Sequence, residues 1–242
     1  MKIACSSATF ARAFAEGTLT QLEWLDLCAN ELEVDGVVFD TRDFPRDDAD
    51  YLAQLKKSAA DLGLTVAALE AGDAPATERL LSVAVTLGAP LLVIRAPGRS
   101  GEATAWGRFA ADVKSAAAHA KRFNVTLALR AFSGTLCEST ADCKRLAKDV
   151  DSSWMRFAIS NTSEDDAALL SKSVIATHAI ADIDNFATVA DDEAPSLISS
   201  LARFRGFIVF DYDVTPSDHA AYHHALTRFA ALRAKALSPP SN

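Results

Sequence analysis

Eight short apolar runs punctuate the chain, each ending abruptly in a small or polar residue. They are Lys2–Ser6, Gly36–Asp40, Leu64–Glu70, Leu91–Arg95, Val125–Arg130, Arg156–Ser160, Val174–His178 and Phe207–Asp211. Near-continuous apolar character, rather than strict alternation, predicts strands of a parallel sheet buried on both faces. The stretches between them carry helical spacing. Leu22, Leu25, Ala29 and Leu32 make one apolar face, opened by Thr20-Gln21-Leu22-Glu23, which predicts a capping box. Leu52, Leu55, Ala59 and Leu62 make the next, closed by Gly63, and Leu80, Leu81, Ala84 and Leu87 a third, closed by Gly88. Trp106, Phe109, Ala110, Val113, Ala117 and Ala120 define a fourth, with Trp106 expected in the core. Later helices are expected after Ser139, over Asp165–Lys172, from Pro195 to Gly206 and from Ser217 to Ala236.

Strand-to-strand spacings average about 30 residues, as in a (β/α)₈ barrel of ~250 residues. The predicted fold class is therefore α/β: a single (β/α)₈ TIM barrel over residues 1–237, with eight parallel strands, an outer ring of helices and a frayed tail at 238–242. A doubly wound open sheet is the runner-up. It is disfavoured because Cys5-Ser6-Ser7-Ala8, after the first run, is not a glycine-rich phosphate loop.

In such barrels the C-terminal strand ends and the loops after them build the site. In chain order they offer Ser6 and Ser7, Asp40 and Arg42, Glu70, Arg95, Arg130, Ser160 with Asn161, His178 with Asp182, and Asp211 with Asp213. Arg95, Arg130 and Asp211 each end a strongly apolar run, where burial without a partner is costly. Arg130 stands out, because a guanidinium has donors only and cannot ligate a metal or accept a proton.

Composition narrows the function. Half of the 242 residues are hydrophobic and no apolar stretch approaches the ~20 residues of a membrane span. The opening residues have no signal-peptide pattern, so a cytoplasmic location is expected. A formal charge of -8 without a basic tract disfavours nucleic acid. Cys5, Cys28, Cys137 and Cys143 lack zinc-ligand spacing and read as buried reduced thiols. His219 and His223 read as surface residues of the last helix, and His119 as incidental. There is no HExxH, Walker loop or nucleophile elbow, so hydrolytic nucleophile chemistry has no support.

Four segments carry a resemblance: Ala4-Cys5-Ser6-Ser7-Ala8-Thr9-Phe10, Val34 to Arg42, Leu62-Gly63-Leu64-Thr65-Val66 and Leu87 to Val93. Through them the chain resembles the xylose-isomerase-like TIM-barrel superfamily of sugar and sugar-phosphate isomerases, epimerases and type-two apurinic endonucleases. The resemblance implies, in metal-dependent members, a Glu ending strand five, an Asp after strand six, a His on strand seven and a Glu on strand eight. Here those positions hold Arg130, Ser160, His178 and Asp211. Only His178 matches outright, so the expectation is a degenerate site with no bound metal and no cofactor.

The resemblance then implies an isomerase or epimerase of carbohydrate metabolism, acting on a small hydroxy-carbonyl compound. His178, Asp211 and Glu70 are its candidate catalytic groups, with Arg95, Arg130, Asp40, Arg42 and Ser160 binding substrate. A pairing of Arg130 with Asp211 is expected. The alternative is a catalytically inactive barrel that binds a small anionic or sugar-like ligand. An endonuclease is disfavoured by charge and by the altered ligand set. Expected partners are the small molecule and, as in many such barrels, a second copy in a homodimer, with neither nucleic acid nor membrane.

Overall fold

The computed structural model describes residues 2–72, 75–99, 104–131, 133–160, 174–180, 206–210 and 219–237. Of Ser160 and residues 174–180 only the backbone is described. The strands are β1 (Lys2–Ser6), β2 (Gly36–Asp40), β3 (Thr65–Glu70), β4 (Leu91–Arg95), β5 (Thr126–Ala131), β6 (Met155–Ser160), β7 (Val174–Ile180) and β8 (Phe207–Phe210). Each pairs in parallel with the next in chain order, and β8 also pairs with β1. The fold is thus α/β and TIM-barrel-like.

The described helices are α1 (Ala11–Glu16), α2 (Gln21–Asn30), α3 (Ala49–Asp61), α4 (Glu78–Leu87), α5 (Ala105–Arg122), α6 (Thr140–Val150) and α7 (His219–Leu237). Those expected over Asp165–Lys172 and from Pro195 lie outside the described residues. The expected capping box of α2 is present: Thr20 Oγ1 accepts from the Glu23 N–H, and Glu23 accepts from the Thr20 N–H at 2.8 Å. That backbone bond, with a second donated by Thr20 Oγ1 at 2.8 Å, holds the Glu23 carboxyl below its usual range. Gly88 closes α4 in the left-handed conformation, φ 78°, where only glycine sits without strain.

A 3-10 helix, Ser7–Phe10, and the short α1 link β1 to α2. Ser6 Oγ caps that 3-10 helix and Thr9 Oγ1 donates to the Phe210 carbonyl at 3.3 Å, fastening β1 to β8. Phe10 and Phe210 both meet Tyr222 of α7 edge-on, which docks the last helix over the same seam. Trp106, expected in the core, is half-buried and packs against the core's edge beside Phe109; its Nε1 donates to Asp149 at 2.8 Å, and Arg145 stacks on its ring. Trp24 of α2 is the fully buried tryptophan, packed edge-on against Phe14 and Phe39.

Two apolar layers result. The larger lies between strands and helices. The smaller lines the barrel interior and consists of small side chains, Ala4, Val38, Ala67, Ala68, Val93, Ala128, Ala158 and Val209. Beneath it Phe207 packs inward, with the Lys2 ammonium 5.5 Å from its ring centroid. This packing depends on Gly36. A Cβ there would lie 2.5 Å from the Thr65 carbonyl oxygen and 2.8 Å from Phe207 Cε1. Backbone must move to admit it, so Gly36→Ala is expected to cost about 1–3 kcal/mol in urea unfolding. A variant with an unchanged midpoint would show that the barrel floor is loosely packed.

All four cysteines are free and buried. Burial and the neighbouring Cys5 raise the Cys28 thiol well above its ordinary range, and side-chain hydrogen bonding with Cys143 together with burial raises Cys137. Thiols held protonated in this way are poor nucleophiles.

Candidate functional site at the strand ends

Side chains alternate between the two faces of a strand. Two residues beyond the small interior layer, on the same face, stand Ser6, Asp40, Glu70, Arg95 and Arg130 of β1 to β5. The register agrees: Asp40 pairs with Glu70 and Arg95 with Arg130. The strand ends therefore bring two carboxylates together on β2 and β3 and two guanidiniums on β4 and β5. On the backbone, Ser160 of β6 pairs with His178 of β7. Asn161, Asp182, Asp211 and Asp213 lie outside the described residues.

Two ion pairs organise this layer. Arg130 Nη1 donates to Glu70 Oε1 at 2.6 Å, with the side chains only 10% and 1% exposed. The expected pairing of Arg130 with Asp211 falls on a position outside the described residues; among the described residues Glu70 pairs with Arg130, reached from β5 across β4. Glu70, expected as a base, is thus also the counter-ion of the arginine. The second pair joins Asp40, fully buried, to Arg42, whose side chain is 61% exposed. Arg42 Nε donates to Asp40 Oδ1 at 3.0 Å and Nη2 to Oδ2 at 2.6 Å. The Asp40 hydrogen bonds hold the Arg42 guanidinium above its usual range, outweighing the opposing effect of burial.

A polar network, not expected from sequence, fixes Asp40 from below. Ser7 Oγ accepts from the Asp40 N–H at 2.8 Å and donates to Asp43 Oδ2 at 2.6 Å. Gln21 Nε2 donates to the Asp43 carbonyl at 2.9 Å, and Tyr51 Oη donates to Gln21 Oε1 at 3.0 Å. Asp43 follows Arg42 directly, and that proximity to a strand end was its only sequence signal.

The loops after β4 and β5 are also tied together, by Arg99. Its N–H donates to the Gly134 carbonyl at 3.0 Å, Nε to the Thr135 carbonyl at 3.1 Å and Nη2 to Asp142 Oδ2 at 2.6 Å. Gly98 and Thr135 form an antiparallel bridge beside it. Arg95 and Arg130 therefore end strands whose loops are held to one another. Outside the barrel a cleft of about 690 Å³ opens beside α5, with Ile94 and Leu129 among its lining residues and His119 and Asp112 from the helix.

Among the described residues no three His, Cys, Asp or Glu side chains cluster as metal ligands do. No helix among them is long and apolar enough to cross a membrane.

A family model described as xylose isomerase-like TIM barrel matches residues 27–162, more than half of the chain. Comparison with curated proteins finds no match. Among solved structures, D-psicose 3-epimerase from Clostridium cellulolyticum H10 is similar at TM-score 0.79 and 12% identity, over 99% of this chain and 100% of that one. The 3-keto-D-glucoside 4-epimerase of E. coli is similar at TM-score 0.71 and 17% identity, over 97% and 99%. A probable 3-DHS dehydratase from Bacillus anthracis is similar at TM-score 0.74 and 9% identity, over 95% and 99%. At these identities the likeness bears on the fold, and the two reaction types among these three leave the chemistry to the site itself.

Proposed function

This chain belongs to the xylose isomerase-like TIM-barrel family, and on that premise we propose that it is a sugar-type isomerase or epimerase acting on a small hydroxy-carbonyl compound without a resident divalent metal. The observation that carries the reading is the Glu70–Arg130 pair, a carboxylate and a guanidinium 2.6 Å apart at the strand ends. Glu70 takes the proton from the carbon beside the carbonyl, and the C–H electron pair moves into an enediolate. Arg130 and Arg95 hold the negative oxygen by charge-assisted hydrogen bonds. Passing the adjacent hydroxyl proton to the first oxygen and the Glu70 proton to the neighbouring carbon gives isomerisation. Delivery of a different proton, from His178 or Asp211, to the opposite face of the original carbon gives epimerisation, with the proton on Glu70 then exchanging with solvent. Ser160 and the Asp40–Arg42 pair contact the substrate's remaining polar groups.

The donor set argues against the metal that other family members use. A Glu-to-Arg change at the strand-five position moves local charge by about two units and replaces lone pairs with donors. With the Arg130 guanidinium bonded to Glu70, a divalent ion there would face repulsion and lose a carboxylate ligand. In this reading two further helices complete an eight-unit barrel. The protein works in the cytoplasm, as a monomer or homodimer, without nucleic acid or membrane.

Proton exchange tests the proposal. Chelator-treated protein in D2O with a panel of ketoses, sugar acids and sugar phosphates is expected to put deuterium beside the carbonyl of at least one of them. A compound that binds but never exchanges, while no other does, would sink the isomerase reading. The alternative would then stand: an inactive barrel that binds a small anionic or sugar-like ligand. Its supporting observation is the burial of Glu70, 1% exposed and already paired, because two buried opposite charges satisfy one another without any reaction.

A further inference from the structure

We propose that Arg42 is the anchor for an anionic group on the substrate, a carboxylate or a phosphate, so that the site takes sugar acids or sugar phosphates in preference to neutral sugars. The inference rests on the reading that the strand ends bind a small hydroxy-carbonyl compound, and it adds the class of that compound.

The carboxylates on β2 and β3 lie at the bottom of the site, Asp40 fully buried and Glu70 1% exposed. Above Asp40 stands a guanidinium that is 61% exposed. On this side of the barrel mouth the ligand therefore meets a cation, and the anions that balance it lie beneath.

Orientation strengthens the point. A guanidinium has two edges that match a carboxylate or phosphate bidentately. The Nε–Nη2 edge of Arg42 is fixed on Asp40. The end-on edge, formed by Nη1 and the second N–H of Nη2, is turned away from Asp40 by the planarity of the group. Asp40 is itself immobilised: its backbone N–H is bonded to Ser7, and its Oδ1 also accepts from the Arg42 N–H at 2.9 Å. A long arginine side chain would ordinarily lose much conformational freedom on gripping a ligand. Here most of that loss has already occurred on folding, which is the condition for tight, directional binding. Glu70 and Asp43 also lie in the electrostatic surroundings of Arg42. Each has a cationic or hydroxyl partner, Arg130 and Ser7, which softens its repulsion of an incoming anion.

The experiment compares D-fructose, D-fructose 6-phosphate, D-gluconate and inorganic phosphate by calorimetry on the full chain, wild type against Asp40→Asn/Arg42→Gln. The double variant removes both charges while keeping hydrogen-bonding groups in both places, so no lone charge is left buried. At least one anionic sugar is expected to bind at least about tenfold more tightly than D-fructose, with that margin lost in the double variant. Preference for the phosphate ester or for the sugar acid identifies the anion. Equal binding of neutral and anionic sugars, a preference that survives the double substitution, or no binding by any anion, inorganic phosphate included, would overturn the inference. Deuterium exchange on the same samples keeps the two readings apart. Preference without exchange retains the anchor and removes the isomerase, whereas exchange without preference does the reverse.

Discussion

Arg130→Ala is expected to lower the urea-unfolding free energy by about 3–5 kcal/mol, the cost of breaking a buried ion pair by removing one partner. The carboxylate left behind, Glu70, is 1% exposed, and the deleted guanidinium stood 2.6 Å from it. The large figure comes from the buried charge that loses this partner rather than from the attraction itself. Replacing both partners with apolar residues of similar volume, Glu70→Leu with Arg130→Met, is therefore expected to recover most of the loss. The two single variants and the double variant make a thermodynamic cycle. A coupling below about 1 kcal/mol would mean that each group is balanced elsewhere, and the pair would lose its place at the centre of the site.

The Glu70–Arg130 pair is not written in the hydrophobic pattern of the chain, whereas the strands are. The strands were legible because a parallel sheet covered on both faces demands apolar runs, and all eight runs became strands, three with the expected bounds and the others with one or both ends shifted by a residue or two. The α2 start was legible for a local reason, since Thr20 and Glu23 satisfy one another's backbone within one turn. The identity of the strand-end residues was legible as well. Alternation from the small interior layer places Ser6, Asp40, Glu70, Arg95 and Arg130 on one level.

The Glu70–Arg130 pairing was not legible. It depends on barrel curvature and side-chain reach across an intervening strand, neither of which is written in local spacing. Trp106 was legible in part: helical periodicity places it on the apolar face, where it packs against the core, but a tryptophan at a helix start also turns its polar edge to Asp149 and lends its ring to Arg145. The Ser7–Asp43–Gln21–Tyr51 network was missed because its members lie far apart in the chain and carry no motif.

Glu70→Gln separates holding the site from working it. The amide still presents an oxygen to the Arg130 guanidinium, so the fold and ligand binding are expected to persist, with a smaller stability loss than Arg130→Ala. What the amide cannot do is accept a proton. If Glu70 is the base, deuterium exchange into a bound hydroxy-carbonyl compound is expected to fall by about 10²–10⁴-fold while affinity changes little. Arg130→Ala is expected to weaken affinity and exchange together, because it removes the group that holds the oxygen in both ground state and enediolate. Exchange surviving at wild-type rate in Glu70→Gln would transfer the base to His178 or Asp211 and leave Glu70 as the arginine's counter-ion. The two variants thus divide one ion pair into its two expected roles, a proton acceptor on β3 and a fixed cation on β5.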